Sequence, residues 1–293
     1  MKTYDTYTYR KFSTLLVFLF FSSIMFGCRD DHIFRNGITA PSPVGDSFVV
    51  VGDSRSGDSI YRDIVSAITS SLSYTSAMFH VGDMIETPGN QGQWNNFMNM
   101  TAPIARIMPW YAVVGNHDVG SSPSQNMYQS VMDDPSKKLY YSFNLNESHF
   151  IILDTEIPGQ EGGIVGEQLA WLTQDLQASA SAPYTFVFTH RPVFPQGHYR
   201  GHDLANAQEL HQLFMQYGVD AVFSGHEHQY YTYLQNGMPY IVTGGGGSPL
   251  YDDGIGEKYH HFLLVELLPP NTFNVQILDV HGKIIKTETL TSR

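Results

Sequence analysis

The chain is short of cysteine and of cationic side chains, and each shortage removes a class of explanation. Its 293 residues include one cysteine, Cys28. Disulfides therefore contribute nothing to stability, and a metal site built on several thiolates is excluded. Lysine and arginine number 16 against 28 aspartates and glutamates, for a formal charge of −12. A general nucleic-acid binder needs a basic stripe, and none is visible, so any phosphate-bearing ligand must be held by something locally positive. Bound metal ions supply such charge. The glycine run Gly244 to Gly247 lacks the Lys-Ser/Thr of a nucleotide loop and reads as close backbone packing. No internal repeat is evident. What remains is a folded composition, 42% hydrophobic and 13% aromatic, long enough for one α/β domain with a covered core.

The N-terminus is read apart from that domain. Lys2, Arg10 and Lys11 precede an apolar run from Phe12 to Phe26 and a small-residue exit at Gly27-Cys28, the layout of a secretory signal over residues 1–27. A bilayer span needs about 20 apolar residues, so a permanent transmembrane helix is the weaker alternative. The lone cysteine directly after the run, in Met25-Phe26-Gly27-Cys28, resembles the acylation site of a bacterial lipoprotein. That resemblance implies a membrane partner through lipid on Cys28 and a place in the bacterial cell envelope, periplasmic or outward-facing. Removal of residues 1–27 takes away three positive charges and one negative, moving the formal charge from −12 to −14. Residues 28–45, with Gly37, Pro41, Pro43 and Gly45, read as a linker, and 46–293 as the folded domain.

Within that domain short β-rich runs alternate with helix-like segments, which predicts an α/β fold. Strands are expected at Ser47–Val51, Ala77–Val81, Trp110–Val114, Thr185–Thr189 and Ala221–Ser224, a hairpin over Tyr140–Leu145 and Phe150–Leu153, and helices at Ser59–Ser71, Gly166–Gln177 and Asn206–Tyr217. Beyond Gln229 the pattern turns to strands joined by turns, with Asn236-Gly237 a strong hairpin signal. These later strands are expected to form a second sheet packed on the first, giving two stacked β-sheets flanked by helices.

Five apolar runs each end in a residue able to bind metal: Phe48 to Asp53, Met78 to Asp83, Trp110 to Asn116-His117-Asp118, Phe186 to His190, and Val222 to His226-Glu227-His228. In open α/β sheets ligands bind at the carboxyl ends of strands, so five such ends can converge. Each alone has an ordinary reading, since an Asp after Gly is commonly a turn former or helix cap and a lone His a hydrogen-bonded structural residue. Together and in this order they point to a metal centre. Residues two apart in an extended segment face the same way, so His226 and His228 reach one site while Glu227 faces away, solvated or supporting. Nitrogen and carboxylate ligands without thiolates suit iron, manganese, zinc or cobalt.

This order and spacing resemble the calcineurin-like metallophosphoesterase superfamily. Leu139 to Phe143, Phe150 to Asp154, Glu167 to Leu172 and Ile241 to Tyr251 resemble its purple-acid-phosphatase branch. The resemblance implies an αββα sandwich and two divalent or trivalent metal ions. It places Asp53, Asp83 and His228 on one ion and Asn116, His190 and His226 on the other, with Asp83 shared. It implies that His117 faces the substrate as proton donor or charge stabiliser, that Asp118 orients it, and that the substrate is a small phosphate ester.

Two positions depart from the pattern. Arg55 stands where most superfamily members carry a ligating His, and Glu86 where purple acid phosphatases carry a Tyr. Guanidinium binds no metal, so Arg55 is either a two-pronged phosphate contact or an ion-pair partner of Glu86 or Asp58. His198 and His202, on the loop after His190, are further substrate-contact candidates; His80 and His211 read as structural, and Tyr251 as rim packing. Phosphate-monoester hydrolysis is the expected activity. The alternatives are a phosphodiesterase acting on nucleotides or lipid head groups and a surface-binding lipoprotein that retains the fold without turnover. No protein partner is evident.

Overall fold

A computed structural model describes residues 46–132 and 139–292. The apolar run, Cys28 and the linker to Gly45 lie outside the described residues. The elements run β1 (Ser47–Val51), α1 (Asp58–Ser71), β2 (Ala77–His80), α2 (Gln91–Ala105), β3 (Trp110–Ala112), α3 (Ser122–Val131), β4 (Tyr141–Leu145), β5 (Ser148–Ile152), α4 (Gly166–Ser179), β6 (Tyr184–Thr189), α5 (Ala207–Gln216), β7 (Ala221–Ser224), β8 (Tyr230–Gln235), β9 (Met238–Thr243), β10 (His261–Leu268), β11 (Thr272–Asp279) and β12 (Ile284–Thr291).

β1 shows why the layers form. Its continuous apolar run suits a strand buried on both faces, and alternate side chains go to different cores: Phe48 and Val50 inward between the sheets, Val49 and Val51 outward under helices. β6 divides likewise, with Phe186 and Phe188 in the central layer and Val187 on the opposite side. The central layer is largely aromatic. Phe79 stacks on Phe188 with ring centroids 4.2 Å apart, and Phe48 meets Phe186 edge-on at 5.1 Å. Helices α1 and α2 cover one sheet through Tyr61, Ile64, Trp94 and Phe97, and α4 and α5 cover the other through Leu172, Leu176, Leu210 and Phe214. The result is the expected helix–sheet–sheet–helix sandwich.

The partition of strands differs from the expectation. The later strands do not form a sheet of their own. β10, β11 and β12 extend the sheet of β1, β2 and β3 in the order β12-β11-β10-β1-β2-β3, while β8 and β9 join β4 to β7 in the order β4-β5-β6-β7-β9-β8. β1 accounts for this. It is fully buried and pairs with β2 on one edge only, so its other row of backbone groups needs a partner. β10 supplies it, antiparallel, with Val49 opposite Leu264.

Helices α2 and α3 were not anticipated. α2 contains Pro103, Gly92 and several asparagines, which blur the 3.6-residue period. It is specified instead by its cap, in which the Asn90 side chain accepts the Gln93 N–H at 3.1 Å, and by Trp94 and Phe97 on its buried side.

Candidate metal centre

The carboxyl ends of β1, β2, β6 and β7, and the segment just beyond β3, meet at one edge of the sandwich. Asp53, Asp83 and His228 each offer a ligand atom, all within 4.8 Å of one another. Beside them His190 Nε2 lies 3.0 Å from Asn116 Oδ1 and 3.3 Å from Asp83 Oδ1. The rings of His190 and His226 are 5.0 Å apart and nearly perpendicular. The six ligand-type residues named from the sequence thus lie at one edge: Asp53, Asp83 and His228 form one group, Asn116 and His190 join it through Asp83, and His226 stands beside His190.

Local backbone geometry produces this convergence. Asp53, Asp83 and His226 all have positive φ, at 57°, 57° and 66°, a conformation that non-glycine residues rarely adopt outside functional sites. Each follows a glycine at a strand end. The glycines allow the segments to touch: a Cβ on Gly225 would collide with the Asp53 carboxylate, and one on Gly115 with the Asp83 backbone and side chain. The strand ends are then laced together. His226 N–H donates to both Asp53 carboxylate oxygens at 3.0 and 3.1 Å, and His117 N–H to Asp83 Oδ1 at 2.9 Å.

The donor set fits a metal ion. His190 Nδ1 lies 2.8 Å from the Val81 carbonyl and His228 Nδ1 2.8 Å from the Pro249 carbonyl. A carbonyl accepts only from a protonated nitrogen, which leaves Nε2 of each ring as the atom able to coordinate. Burial, reinforced by His190 and Arg191, lowers the His226 pKa to about 2, so that ring is neutral, as a ligand must be. Burial opposes ionisation of Asp83, but His190, the His117 N–H and Arg55 outweigh it and hold its carboxyl below the ordinary range. His190 is raised by the carboxylates of Asp83 and Asp53 against the opposing effect of its own burial.

Two expected roles change. Asp118 does not orient His117. Its buried carboxylate accepts four backbone N–H groups, from Asp83 at 3.0 Å, Met84 at 2.9 Å, Ile85 at 3.2 Å and Gly115 at 2.9 Å. It therefore clamps the turn that carries Asp83. Burial, then the charge of Asp83, raises its pKa to about 7. His117 is oriented instead by its Nδ1, 2.9 Å from the Glu86 carbonyl oxygen. Of the two readings of Arg55, the geometry realises the ion pair: Nη1 to Glu86 Oε2 at 2.5 Å and Nε to Asp83 Oδ2 at 3.1 Å, with Asp58 not involved. Its Nη2 also lies 3.5 Å from His228 Nε2.

The rim holds the remaining candidates. His198 stacks on Tyr251 at 4.2 Å and its Nδ1 lies 2.9 Å from Asp253. His202 is exposed, with its ring 6.3 Å from that of Tyr199. His80 and His211 are buried and bonded to Ser54 and Tyr240, as structural residues are. Of the two readings of Glu227, solvated or supporting, its full burial favours the supporting one. Two features went unread in the sequence. Tyr199 stacks on His226 at 4.5 Å. Arg191 makes a two-pronged pair with Glu156 at 2.7 and 2.8 Å, behind His190. The last had a signal, because Phe150-Ile151-Ile152-Leu153 is a sixth apolar run, and it leads into Asp154-Thr155-Glu156.

Known proteins share sequence and fold with this chain. The chain is 28% identical over 179 residues to purple acid phosphatase 23 of Arabidopsis thaliana, covering 54% of this chain and 38% of that protein. It is 28% identical over 211 residues to acid phosphatase type 7 of Homo sapiens, covering 58% and 48%. The chain thus spans half or less of the length of these relatives. A purple acid phosphatase from yellow lupin (Lupinus luteus) seeds shares the fold with a TM-score of 0.69 at 18% identity, over 85% of this chain and 54% of that one. The calcineurin-like phosphoesterase family model matches residues 46–230, which is most of the described chain and every strand end of the centre, and the protein belongs to that metal-dependent phosphoesterase family.

Proposed function

We propose that the protein hydrolyses phosphate monoesters at a centre of two metal ions, drawn from iron, manganese, zinc and cobalt. The observation that carries the reading is the gathering of Asp53, Asp83 and His228 within 4.8 Å, with Asn116 and His190 joined to the same Asp83. Asp53, Asp83 and His228 would hold one ion, and Asn116, His190, His226 and the shared Asp83 the other. Such a pair of ions, when bound, neutralises phosphoryl charge and activates water for in-line attack.

The chain's own residues supply the rest. Asp118 fixes the Asp83 turn, and the Val81 and Pro249 carbonyls fix the His190 and His228 tautomers. His117 donates Nδ1–H to the Glu86 carbonyl, so Nε2 is the atom left for the leaving oxygen, to which the ring would give a proton as the imidazolium. His198, and farther out His202, stand on the loop that borders the site and would contact the ester group. The names of the relatives, acid phosphatases in both cases, support monoester chemistry. The same reading places the enzyme in the bacterial envelope, tethered by lipid on Cys28; its support is the cysteine's position directly after the apolar run.

A second reading, binding without turnover, is favoured by Arg55, whose guanidinium stands at the first metal group where a ligand is expected. One experiment separates the readings: elemental analysis of the purified protein beside turnover of p-nitrophenyl phosphate and bis-p-nitrophenyl phosphate, with Asn116→Ala as control. The proposal expects two ions per chain and faster monoester turnover, abolished in the variant. Faster diester turnover replaces it with the phosphodiesterase reading; a metal-loaded protein inert to both leaves the binding role.

A further inference from the structure

The segment from His226 to Gln229 alternates in direction. His226 and His228 point into the metal groups, and Glu227 and Gln229 point away from them. Glu227 lies fully buried among neutral donors. Its Oε1 accepts the Tyr199 N–H at 2.6 Å, and its Oε2 accepts the Gly197 N–H at 3.3 Å and the Tyr231 hydroxyl. The contact is tight enough to require glycine at 197, where a Cβ would press on the side chains of Glu227 at 3.0 Å and Gln229 at 2.5 Å. Gln229 in turn donates to the Asp253 carbonyl. Two side chains flanking His228 thus hold both rim loops, one carrying His198 and Tyr199, the other Tyr251.

What the loops carry is a stack of rings. Tyr251 lies on His228 at 4.4 Å and 13°, and His198 lies on Tyr251 at 4.2 Å and 25°. Tyr199 lies on His226 at 4.5 Å and stands edge-on to His198 at 4.7 Å. Asp253 fixes the His198 ring through Nδ1. His198 is stacked on Tyr251 and has Tyr199 edge-on beside it, yet its side chain is 38% exposed, so ring surface remains open at the rim. Stacked aromatic pairs favour a further flat ring at such a face.

We infer that Glu227 is the positioning residue of a leaving-group subsite, and that the stacked rim it holds in place, His198, Tyr199 and Tyr251, accepts phosphoesters of planar aromatic alcohols in preference to those of small aliphatic ones. The inference rests on the phosphoesterase reading for its orientation toward phosphate, but its test does not depend on turnover. Phenylphosphonate and methylphosphonate carry a phosphorus–carbon bond in place of the ester and differ only in the group offered to the rim. The experiment is isothermal titration of the metal-loaded protein with each, for the wild type, Glu227→Gln and Tyr251→Leu, with metal content measured on the same samples. The wild type binds phenylphosphonate about tenfold more tightly than methylphosphonate, as expected for one well-formed stack. In both variants the ratio falls below about threefold at unchanged metal content.

Equal affinities in the wild type, no binding of either phosphonate, or an equal loss for both ligands in Glu227→Gln each overturn the inference. Tyr251→Leu lies at the rim and decides the case should Glu227→Gln fail to fold: an unchanged ratio there also refutes it. Selective binding without hydrolysis of any phosphate ester would remove the proposed activity and leave the subsite standing; hydrolysis without selectivity would do the reverse.

Discussion

His190 Nε2 lies 3.0 Å from Asn116 Oδ1 across 74 residues of chain, and the same nitrogen lies 3.3 Å from Asp83 Oδ1. Strand ends from the two different sheets are therefore brought within ligand distance. The centre lies where the sheets meet, and its geometry depends on how they pack.

Asn116→Ala removes one proposed ligand from the group around His190. The expected outcome is a fall from two ions per chain to about one, measured by elemental analysis, with kcat/KM for a phosphomonoester lower by at least about a hundredfold, equivalent to roughly 2.7 kcal/mol of transition-state stabilisation. Retention of both ions with full activity removes Asn116 from the centre.

Arg55 competes with a cation in two ways: its Nε occupies Asp83 Oδ2 and its charge stands beside His228 Nε2. A positive charge a few ångströms from a divalent cation costs about 1–2 kcal/mol even at the dielectric of bulk water. Titration of metal-free protein with Mn²⁺ is therefore expected to show about tenfold tighter binding at the weaker site in Arg55→Ala. Weaker binding in the variant contradicts the competition and returns Arg55 to the role of a supporting residue.

Asp118 was read from the sequence as the partner of His117, and its four backbone donors assign it to the Asp83 turn instead. Asp118→Ala strands those buried N–H groups, each costing about 1–3 kcal/mol when unsatisfied. Urea unfolding of the metal-free protein should show a loss of at least about 3 kcal/mol. An Asp118→Asn variant keeps one acceptor oxygen and should fall between. A loss under about 1 kcal/mol in the alanine variant rejects the clamp.

The convergence of the candidate ligand residues was readable because each ends an apolar run, and strand ends in such sheets converge. Asp53, Asp83, Asn116, His190, His226 and His228 needed only that rule and the resemblance. Other features depend on tertiary packing. Glu227 alternates out of the site, as an extended segment requires, but its burial depends on the 197–203 loop folding over it. The strand partition depends on which edge of β1 remained open, a matter of pairing between residues more than 200 apart in the chain. α2 was hidden by Pro103 and its polar composition, since its stability comes from Trp94 and Phe97 rather than from helix propensity.

The last prediction concerns pH and lies away from the metal groups. Asp154 follows β5 and is 1% exposed; burial, with the charge of Glu156 adding to it, raises its pKa from the ordinary 3.8 to about 7, although its Oδ1 accepts the Glu156 N–H at 2.7 Å. A carboxyl whose folded pKa exceeds its unfolded value keeps its proton in the native state while the unfolded chain releases it. The native state then binds more protons between about pH 4 and pH 7, so its stability is full below that window and falls as pH rises through it. Asp154→Asn retains the acceptor oxygen and removes the titration. The variant should match the wild type near pH 4 and exceed it above pH 7 by up to about 4 kcal/mol, the full shift at 1.36 kcal/mol per unit. Urea unfolding of both proteins at pH 4, 6 and 8 measures the difference. A gap that stays constant across the three values shows that Asp154 is ionised in the folded protein throughout.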